Sequence, residues 1–369
     1  MVGATGVAGR QALAALQAHP WFELCAVAAS ERSAGATLAE LLERDRQVWA
    51  DTGLAAPDPV VDTRPQSLAS RLPSEWLSLR ACTAEQLPLD ELDLVFSMLP
   101  TEAARAVEPV LAARVPVIST AAAFRDEPDT PLLLPGVNTE HAALLASQGA
   151  ARGWRGFVAP TPNCTTVGLA ASLAPLHAAV GVRAVVLTSM QAVSGAGAGG
   201  PRVAAAALGN VLPFIDGEED KVGREFAKIL GRVDGARIAP ADCAVSATCT
   251  RVPVADGHTL AVTVGLREAL SVERAAQLLR DHDPWRGRSL PSAPQRWIVV
   301  RTEQDRPQPR LDLSEGAGFS TVVGRLRPDA VLGGLSLVVL SHNAVLGAAG
   351  GAVLLAEDLA DRGLLPAPR

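Results

Sequence analysis

A cysteine placed just before an apolar run is the strongest candidate for a reactive group. Cys164 ends the segment APTPNC (159–164), and the helix-like run VGLAASLAPLHAAV begins at residue 167. The N-terminus of a helix favours negative charge through its dipole and its free backbone N–H groups, which stabilises a thiolate. The same N–H groups can hold a developing oxyanion. We therefore expect a nucleophilic thiolate at position 164.

A histidine and an arginine from one later segment can serve such a nucleophile. Arg251 and His258 lie in TRVPVADGHT (250–259), where Asp256-Gly257 is a strong turn signal. We therefore expect a tight connection between two strands, with these two side chains at its ends. A histidine near a reactive thiol can accept its proton and later return it. An arginine in the same pocket grips a carboxylate through two parallel hydrogen bonds.

A glycine-rich loop is predicted after one of the strands. Gln191 and Ser194 lie in MQAVSGAGAGG (190–200). Two interpretations stay open: the loop is simply flexible, or its backbone closes over a substrate or a nicotinamide.

Three charged residues complete the candidates. Glu218 and Lys221 open a predicted helix in GEEDK (217–221), and Lys221 is one of only two lysines in the chain. Acidic residues in a first helical turn are ordinary capping, so the lysine is the more informative of the two. Arg125 follows a predicted parallel strand and therefore points to the edge at which α/β domains bind ligands.

Three glycines near the N-terminus have the spacing of a dinucleotide-binding turn. Gly3, Gly6 and Gly9 lead into the helix-like RQALAALQAHP, so that a pyrophosphate can approach the backbone at the positive end of a helix. Only Met1 and Val2 precede them, where such a fold normally has a central strand of about five or six residues. We therefore expect that the true start lies upstream or that the first strand is truncated.

The loop after the second predicted strand selects the cofactor. Phe22–Ala29 is predicted as that strand, and SERS (30–33) follows it. Arg32 and Ser33 suit a ribose 2′-phosphate and favour NADP. Glu31 leaves NAD open, since an acidic residue here can bind the 2′-hydroxyl group.

The order of strands and helices predicts an α/β protein of two domains. Alternation up to about residue 158, with buried parallel strands at Leu92–Met98 and Val115–Ser119, indicates a doubly wound, Rossmann-type dinucleotide-binding domain. Strands dominate afterwards, at 184–192, 244–254, 260–266, 297–301, 320–327 and 335–340, and predict an α+β domain on a largely antiparallel sheet. The expected domains are 1–158 and 159–342, followed by a C-terminal helix within 343–369 that returns to the first domain.

The composition restricts the class of protein. The chain has 369 residues, of which 48% are hydrophobic and 20% charged, which is enough apolar material for folded domains and excludes disorder. A net charge of −6 without a basic face argues against a nucleic-acid partner. The five cysteines lack CxxC spacing, so a reducing cytoplasm is expected, with neither a disulfide framework nor a metal site.

One uncharged stretch is long enough to raise the question of a membrane span. Residues 330–356 contain no acidic or basic side chain except one histidine, but Ser341, His342 and Asn343 stand at their centre. We expect a buried strand, a polar turn and a helix rather than a membrane-spanning segment.

Segments along nearly the whole chain resemble the aspartate-semialdehyde dehydrogenase family, in its archaeal and fungal branch. PNCTT together with RVPVADGH is the specific part of this resemblance, whereas the glycine motif alone is not specific. In chain order the resembling segments are GATGVAG, LVFSMLP, PNCTT, MQAVSGAG, GEEDK, ATCTRVPVADGHT, LPSAP with VVR, DRPQPRLD, VVGR and SHNAVLGAAGG.

The resemblance implies an NADP-dependent, phosphorylating aldehyde dehydrogenase. Such an enzyme reduces L-4-aspartyl phosphate to L-aspartate 4-semialdehyde through a cysteine thioester, in the biosynthesis of lysine, methionine and threonine. The resemblance also implies that the second domain is catalytic and forms the dimer contact. It further implies a cytoplasmic homodimer or homotetramer that takes small-molecule substrates and has no membrane or nucleic-acid partner.

The resemblance also implies a role for each candidate residue. Cys164 would be the nucleophile, Gln191 would orient the acyl group, and His258 would be the general acid and base. The substrate contacts would be Arg251 to the α-carboxylate, Glu218 to the ammonium group, Lys221 and Arg125 to the phosphate, and Asn163. The cofactor contacts would be Gly3, Thr5, Gly6, Val7, Gly9, Ser30, Arg32, Ser33, Ser194, Gly195 and, at the nicotinamide, Asn343.

Other functions stay open at this point. A malonyl-CoA reductase would use the same cysteine and histidine but would not need Glu218 to bind an ammonium group. An N-acetyl-glutamyl-phosphate reductase has a different sequence around its cysteine. A non-catalytic NADP-binding redox sensor would keep the glycine turn and lose the catalytic set, which is complete here. Phosphate-dependent reduction of NADP with the semialdehyde separates these functions, because a sensor gives none and a CoA-dependent enzyme requires CoA.

Overall fold

The computed structural model describes residues 1–50 and 68–366, so the last three residues of the predicted C-terminal segment lie outside the described range. The strands are β1 (Val95–Ser97), β2 (Val117–Ser119), β3 (Val158–Pro160), β4 (Val182–Gln191), β5 (Arg232–Asp234), β6 (Arg237–Ala239), β7 (Ala244–Arg251), β8 (His258–Leu266), β9 (Ile298–Val300), β10 (Thr321–Asp329) and β11 (Gly334–Ser341). The α-helices are α1 (Val7–Leu16), α2 (Leu38–Ala50), α3 (Ser74–Ser78), α4 (Thr101–Ala112), α5 (Leu144–Arg152), α6 (Cys164–Val180), α7 (Gly200–Ala207), α8 (Glu218–Ile229), α9 (Val272–Asp281), α10 (Pro309–Asp312) and α11 (Gly350–Asp361). Shorter helical turns occupy Ala84–Gln86, Leu89–Glu91, Thr139–Ala143, Val193–Gly199, Glu315–Gly318 and Val345–Ala349.

The N-terminal lobe is built on parallel pairing, as predicted. β1, β2 and β3 pair in parallel in that order. Val2 extends the layer on the other side of β1, because it pairs in parallel with both Ser97 and Ala28. Ala28 pairs in turn with Cys82. Parallel pairing of this kind puts the carboxyl ends of the strands at one edge, where the site is described below.

Met1 and Val2 occupy the centre of this layer. The N–H of Val2 donates to the carbonyl of Phe96 (2.9 Å), and the carbonyl of Val2 accepts from the N–H of Met98 (3.0 Å). The terminal ammonium of Met1 donates to the carbonyl of Ala26 (2.7 Å), and its burial lowers its pKa to about 6. These two residues therefore stand where the sequence analysis expects a central first strand.

The second predicted strand, Phe22–Ala29, is wrong in its extent, because within it only Ala28 forms a β-bridge and the backbone hydrogen bonds to neighbouring segments are confined to residues 26–29. Phe22 instead stacks on His19, with ring centroids 4.8 Å apart, and meets Phe96 edge-on at 6.1 Å. Packing of aromatic rings, rather than a ladder of hydrogen bonds, holds the start of this segment.

The C-terminal lobe contains a six-stranded sheet in the order β7-β4-β8-β11-β10-β9. The three inner pairs are antiparallel, and the outermost pair at each edge is parallel. The predicted α+β lobe on a largely antiparallel sheet is thus confirmed. Each of its predicted strands is present within a few residues of the expected bounds.

The predicted tight connection between Arg251 and His258 is wrong. β7 and β8 are not neighbours, because β4 lies between them. Residues 252–257 instead cross the end of β4, where the carbonyl of Val254 accepts from the N–H of Val193 (2.8 Å). The crossing still brings both ends of the connection, and the loop after β4, to one end of the sheet.

One face of this sheet is covered by α6, α8 and α9. Leu173, Phe226 and Leu279 from these helices are fully buried, and they share one apolar cluster with Val262 and Leu337 from the strands. Burying each such side chain contributes about 1.5–3 kcal/mol to stability. The core therefore fixes the two helices, α6 and α8, whose first turns carry candidate site residues.

The C-terminal helix packs on the N-terminal lobe. Leu13 and Leu16 of α1 share an apolar cluster with Val353, Ala356 and Leu359 of α11. The uncharged stretch that contains α11 folds as the predicted strand, polar turn and helix. None of the helices in the described ranges combines the length and the apolar character needed to span a bilayer.

Candidate active site

Cys164 is the first residue of α6, and Asn163 caps that helix. The Asn163 Oδ1 atom accepts the backbone N–H groups of Thr165 (2.8 Å) and Thr166 (3.4 Å). Such a cap satisfies donors that the first helical turn leaves open, and it is worth about 1 kcal/mol. The cap therefore fixes the turn that carries the sulfur atom.

His258, the first residue of β8, lies beside that sulfur. Its Nε2 is 3.2 Å from the Sγ of Cys164. Its Nδ1 accepts the backbone N–H of Ala192 at 3.1 Å, so in a neutral ring the proton resides on Nε2. The structure thus brings the predicted cysteine and histidine together, with an N–H group facing the sulfur. A role as proton donor fits this geometry directly, and the role as proton acceptor stays a prediction.

Burial acts against the charged form of both members of the pair. Burial, ahead of the charge of Glu218, raises the pKa of the Cys164 thiol to about 12. Burial, ahead of the charge of Arg251, lowers the pKa of His258 to about 3. Burial therefore opposes the expected thiolate at the α6 N-terminus, where the helix end contributes only about 0.3–2 kcal/mol, and the reactive thiolate stays a prediction.

The raised pKa of the Cys164 thiol predicts how the rate constant for its alkylation depends on pH. A raised thiol pKa means that the thiolate fraction grows with pH over the whole neutral and alkaline range. The rate constant with iodoacetamide should rise about tenfold per pH unit between pH 7 and 10. Peptide mapping by mass spectrometry measures it at this cysteine. A plateau across that range would show a thiolate–imidazolium pair instead.

Gln191 and Arg251 end two neighbouring strands, β4 and β7, which pair in parallel with these two residues in register. Both side chains are buried, and Nη1 of Arg251 donates to the carbonyl of Ala192 (2.7 Å). Gly195 lies against this group. A Cβ there would come within 2.8 Å of Cε1 of His258 and 2.9 Å of Nη1 of Arg251, so the close approach of the loop requires glycine.

Glu218, the first residue of α8, points at the same group. Its Oε1 accepts from Nε2 of Gln191 (3.2 Å) and from Oγ1 of Thr165 (3.2 Å), and its side chain is buried. The carboxylate therefore orients the Gln191 amide and connects α8 to the first turn of α6. Its contact with a substrate ammonium group stays a prediction.

Arg125 follows β2 and is buried. Its Nη2 donates to the carbonyl of Thr120 (2.8 Å), and its Nη1 pairs with Oε1 of Glu225 (3.0 Å). Nε is buried and has no hydrogen-bond partner among the described residues. An unpartnered guanidinium donor beside a cavity is suited to an anion.

A cavity of about 230 Å³ joins these elements. Its walls include Cys164, Asn163 and Arg125, together with Ser194 from the loop after β4 and Asn343 from the turn after β11. The start of α1 closes the same cavity, through residues 7, 8 and 11. Residues from both lobes, and from five separate stretches of sequence, therefore face one space.

Lys221 is not brought into that space. It lies on the first turn of α8, half-buried, and it is not among the residues that line the 230 Å³ cavity. Its predicted contact with phosphate stays a prediction.

Asn343 connects three segments of the site. Its Oδ1 accepts the N–H of Gly257 (2.8 Å), and its Nδ2 donates to Oγ of Ser194 (2.9 Å). This amide holds the turn before His258 against the glycine-rich loop.

A second cavity, of about 270 Å³, lies on the other side of the glycine turn. Gly3, Thr5, Ser30 and Ser33 line it. Arg32 is exposed and is not among the lining residues, although the sequence analysis used it to favour NADP. Ser33 is therefore the member of that predicted pair that faces the cavity.

The start of α1 fits a dinucleotide. Gly6 is the N-cap, no side chain caps the helix, and its first turn carries no acidic residue, so its N–H groups are open to a pyrophosphate. A Cβ at Gly9 would lie 2.1 Å from the carbonyl oxygen of Gly3, so glycine alone permits the helix to approach the turn this closely. The two cavities flank this turn, as the two ends of one dinucleotide require.

Comparison with known proteins places the chain in a family. Residues 1–145 match the semialdehyde dehydrogenase NAD binding domain, and residues 173–346 match the semialdehyde dehydrogenase dimerisation domain. The aspartate-semialdehyde dehydrogenase of Archaeoglobus fulgidus is 43% identical over 363 residues, which is 97% of this chain and 96% of the relative. This chain belongs to the aspartate-semialdehyde dehydrogenase family.

Solved structures of aspartate-semialdehyde dehydrogenases agree with the fold. The Candida albicans enzyme, solved with NADP, superposes with a TM-score of 0.83 at 35% identity and covers 98% of each chain. The Vibrio cholerae aspartate semialdehyde dehydrogenase II, solved with ASA, has a TM-score of 0.74 at 27% identity and covers 98% of this chain and 97% of its own.

Within this aspartate-semialdehyde dehydrogenase fold, the sequence analysis missed one residue of the site. Glu225 is buried, pairs with Arg125, and accepts the backbone N–H of Asn163 at 2.6 Å. Its position was available as a signal, because it follows Glu218 by seven residues and therefore lies on the same face of α8.

Proposed function

We propose that this chain catalyses the NADP-dependent reductive dephosphorylation of L-4-aspartyl phosphate to L-aspartate 4-semialdehyde. The observation that carries the proposal is the pair formed by Cys164 and His258, at 3.2 Å, beside a cavity closed by a dinucleotide-type turn. The family supplies the substrate, since relatives of 34–43% identity bear the name aspartate-semialdehyde dehydrogenase.

The reaction begins at the sulfur atom. The Cys164 thiolate attacks the acyl carbon of aspartyl phosphate, a C–S bond forms, and the C–O bond breaks as phosphate leaves with the electron pair. Splitting the reaction at a thioester replaces one difficult step by two easier ones. Burial raises the pKa of the Cys164 thiol, so its proton must be lost to solvent before attack.

His258 acts on the second half of the reaction. When bound, NADPH supplies the hydride that reduces the thioester to the level of a thiohemiacetal. Nε2–H of His258, 3.2 Å from the sulfur, is the donor that stabilises negative charge on the reacting oxygen. As the aldehyde forms, the electron pair of the C–S bond stays with the sulfur, and the same N–H stabilises the resulting thiolate by donating a hydrogen bond to it.

The remaining site residues bind the substrate. In this proposal Arg251 holds the α-carboxylate, Glu218 the ammonium group, and Arg125 with Lys221 the phosphate. Arg125 lines the same cavity as Cys164, which supports the phosphate contact. Asn163 and Gln191 hold the acyl group near the sulfur.

The cofactor would be held by residues that line the two cavities. Gly3, Thr5, Gly6, Val7 and Gly9 would hold the pyrophosphate at the start of α1. The remaining contacts would be Ser30, Arg32 and Ser33 at the ribose, and Ser194, Gly195 and Asn343 at the nicotinamide.

The chain would work as a homodimer or homotetramer. On the sheet face opposite α6 and α8, Thr188 and Ala261 are exposed and Val338 is half-buried, in one row across three strands. Val186, on the same face, is 47% exposed. A second copy would cover this surface, and light scattering should give a molar mass at least twice the 38.2 kDa of one chain.

The five unpaired cysteines fit a cytoplasmic location.

Steady-state kinetics test the function. With aspartate semialdehyde, NADP⁺ and phosphate, the protein should form NADPH continuously, and without phosphate it should form no more than about one NADPH per active site. A requirement for CoA in place of phosphate would favour a malonyl-CoA reductase. No NADPH formation under any of these conditions would favour a non-catalytic NADP-binding sensor.

A further inference from the structure

One buried carboxylate connects Arg125 to the turn that carries the nucleophile. Oε1 of Glu225 accepts from Nη1 of Arg125 at 3.0 Å, and Oε2 accepts the backbone N–H of Asn163 at 2.6 Å. The two side chains of this ion pair are 9% and 2% exposed. Both oxygens of the carboxylate are therefore engaged, each with a residue that lines the cavity beside Cys164.

The helix that carries Glu225 directs two carboxylates to the site from one face. Glu218 and Glu225 are two turns apart on α8, with Val222 and Phe226 buried between and beside them. Glu218 orients Gln191, as described above, and Glu225 contacts Arg125. The apolar residues fix the helix face, so both carboxylates are held by the core.

A purely stabilising role explains this arrangement poorly. Removing two charges from water costs more than their attraction returns in many proteins, so a buried ion pair is weak evidence for stability. Here, however, the pair joins a side chain of the N-terminal lobe to the first turn of α6 in the C-terminal lobe. A misplacement of about 1 Å between reacting groups can cost about a hundredfold in rate.

We propose that Glu225 is a positioning residue of this enzyme. It holds the Arg125 guanidinium at the wall of the cavity that Cys164 also lines, and it fixes the Asn163 amide one residue before Cys164. The proposal rests on the proposed function, in which Arg125 binds the phosphate. Through these two contacts, one carboxylate sets the distance between the phosphate site and the nucleophile.

Glu225→Gln is the direct test. The amide is nearly isosteric, but it has one acceptor oxygen, so either Arg125 or the Asn163 N–H must face its NH₂ group. We expect KM for phosphate in the oxidative direction to rise about tenfold, because a tenfold change corresponds to the loss of roughly one charge-assisted hydrogen bond. KM for NADP⁺ should stay unchanged. Asp220→Asn is the matched control, since it removes one negative charge from an exposed position of the same helix and should leave both values unchanged.

A double-mutant cycle separates positioning from general destabilisation. If Glu225 acts through Arg125, then adding Glu225→Gln to Arg125→Lys should change KM for phosphate by less than about twofold. Effects that multiply in the double variant would overturn the proposal, because independent sites combine in that way.

A measurement without turnover keeps this proposal distinct from the proposed function. Inorganic phosphate should protect Cys164 from iodoacetamide, and half-protection should need about tenfold more phosphate in Glu225→Gln than in the wild type. Equal concentrations, or no protection in the wild type, would overturn the positioning role. A wild type that forms no NADPH but shows the shifted protection would overturn the function and leave the positioning role supported.

Discussion

Cys164→Ala should abolish turnover and leave the binding of NADP intact. The sulfur forms the covalent bond to the acyl group, and no other thiol lines the 230 Å³ cavity in the described part of the chain. We expect the rate of NADPH formation to fall by at least about 10⁴-fold, as for loss of a nucleophile in other covalent mechanisms. The dissociation constant of NADP, measured by calorimetry, should change by less than about threefold, because the glycine turn is untouched.

An exposed cysteine provides the control for this substitution. Cys25 lies on the surface of the N-terminal lobe, and Cys25→Ala should keep wild-type kinetics and wild-type stability. Phosphate-dependent activity above about 1% of wild type in Cys164→Ala would refute a thioester at this position.

His258→Asn should lower kcat by about 10²–10⁴-fold, the usual range for a positioned proton donor. Asparagine can keep the acceptor that Nδ1 offers to the Ala192 N–H, but it removes the Nε2–H group beside the sulfur. The loss should appear in kcat and not in KM for NADP⁺. Stopped-flow absorbance at the NADPH band measures the rate of NADPH oxidation in the reductive direction and of NADPH formation in the oxidative direction.

A second histidine supplies a matched control. Nδ1 of His177 also accepts a backbone N–H, that of Val182 at 3.1 Å, at the far end of α6. His177→Asn preserves the same type of acceptor and should leave kcat unchanged. If both variants lose activity equally, the effect of His258→Asn is structural and not chemical.

Much of the fold can be predicted from the local sequence, because alternation of apolar and polar residues is typical of a β-strand with one buried face. The strands of the C-terminal lobe and the strand–turn–helix at 334–361 are within a few residues of prediction. The order of the strands does not follow from local pattern. That β4 lies between β7 and β8 depends on contacts between distant segments, so the expected tight connection from Arg251 to His258 was wrong.

In the candidate site, too, some features could be predicted from the local sequence and others depend on contacts between distant segments. Residue type and position identified Cys164, and the family resemblance added Asn163; the structure places both at the start of α6, on the same cavity as Arg125. The ionisation of the thiol was beyond the sequence, since it depends on burial that only the folded lobes create. The spacing of Glu225 from Glu218 indicated only a shared helix face, whereas its partners are 62 and 100 positions away in the chain and are brought to it by folding.

Trapping of the acyl-enzyme tests the proposed mechanism most directly. The protein is mixed with aspartate semialdehyde and NADP⁺ without phosphate, quenched in acid and digested for mass spectrometry. We predict a burst of about one NADPH per active site, and an acyl group on the peptide that contains Cys164. An unmodified Cys164 in protein that turns over when phosphate is added, or an acyl group on a different residue, would contradict it.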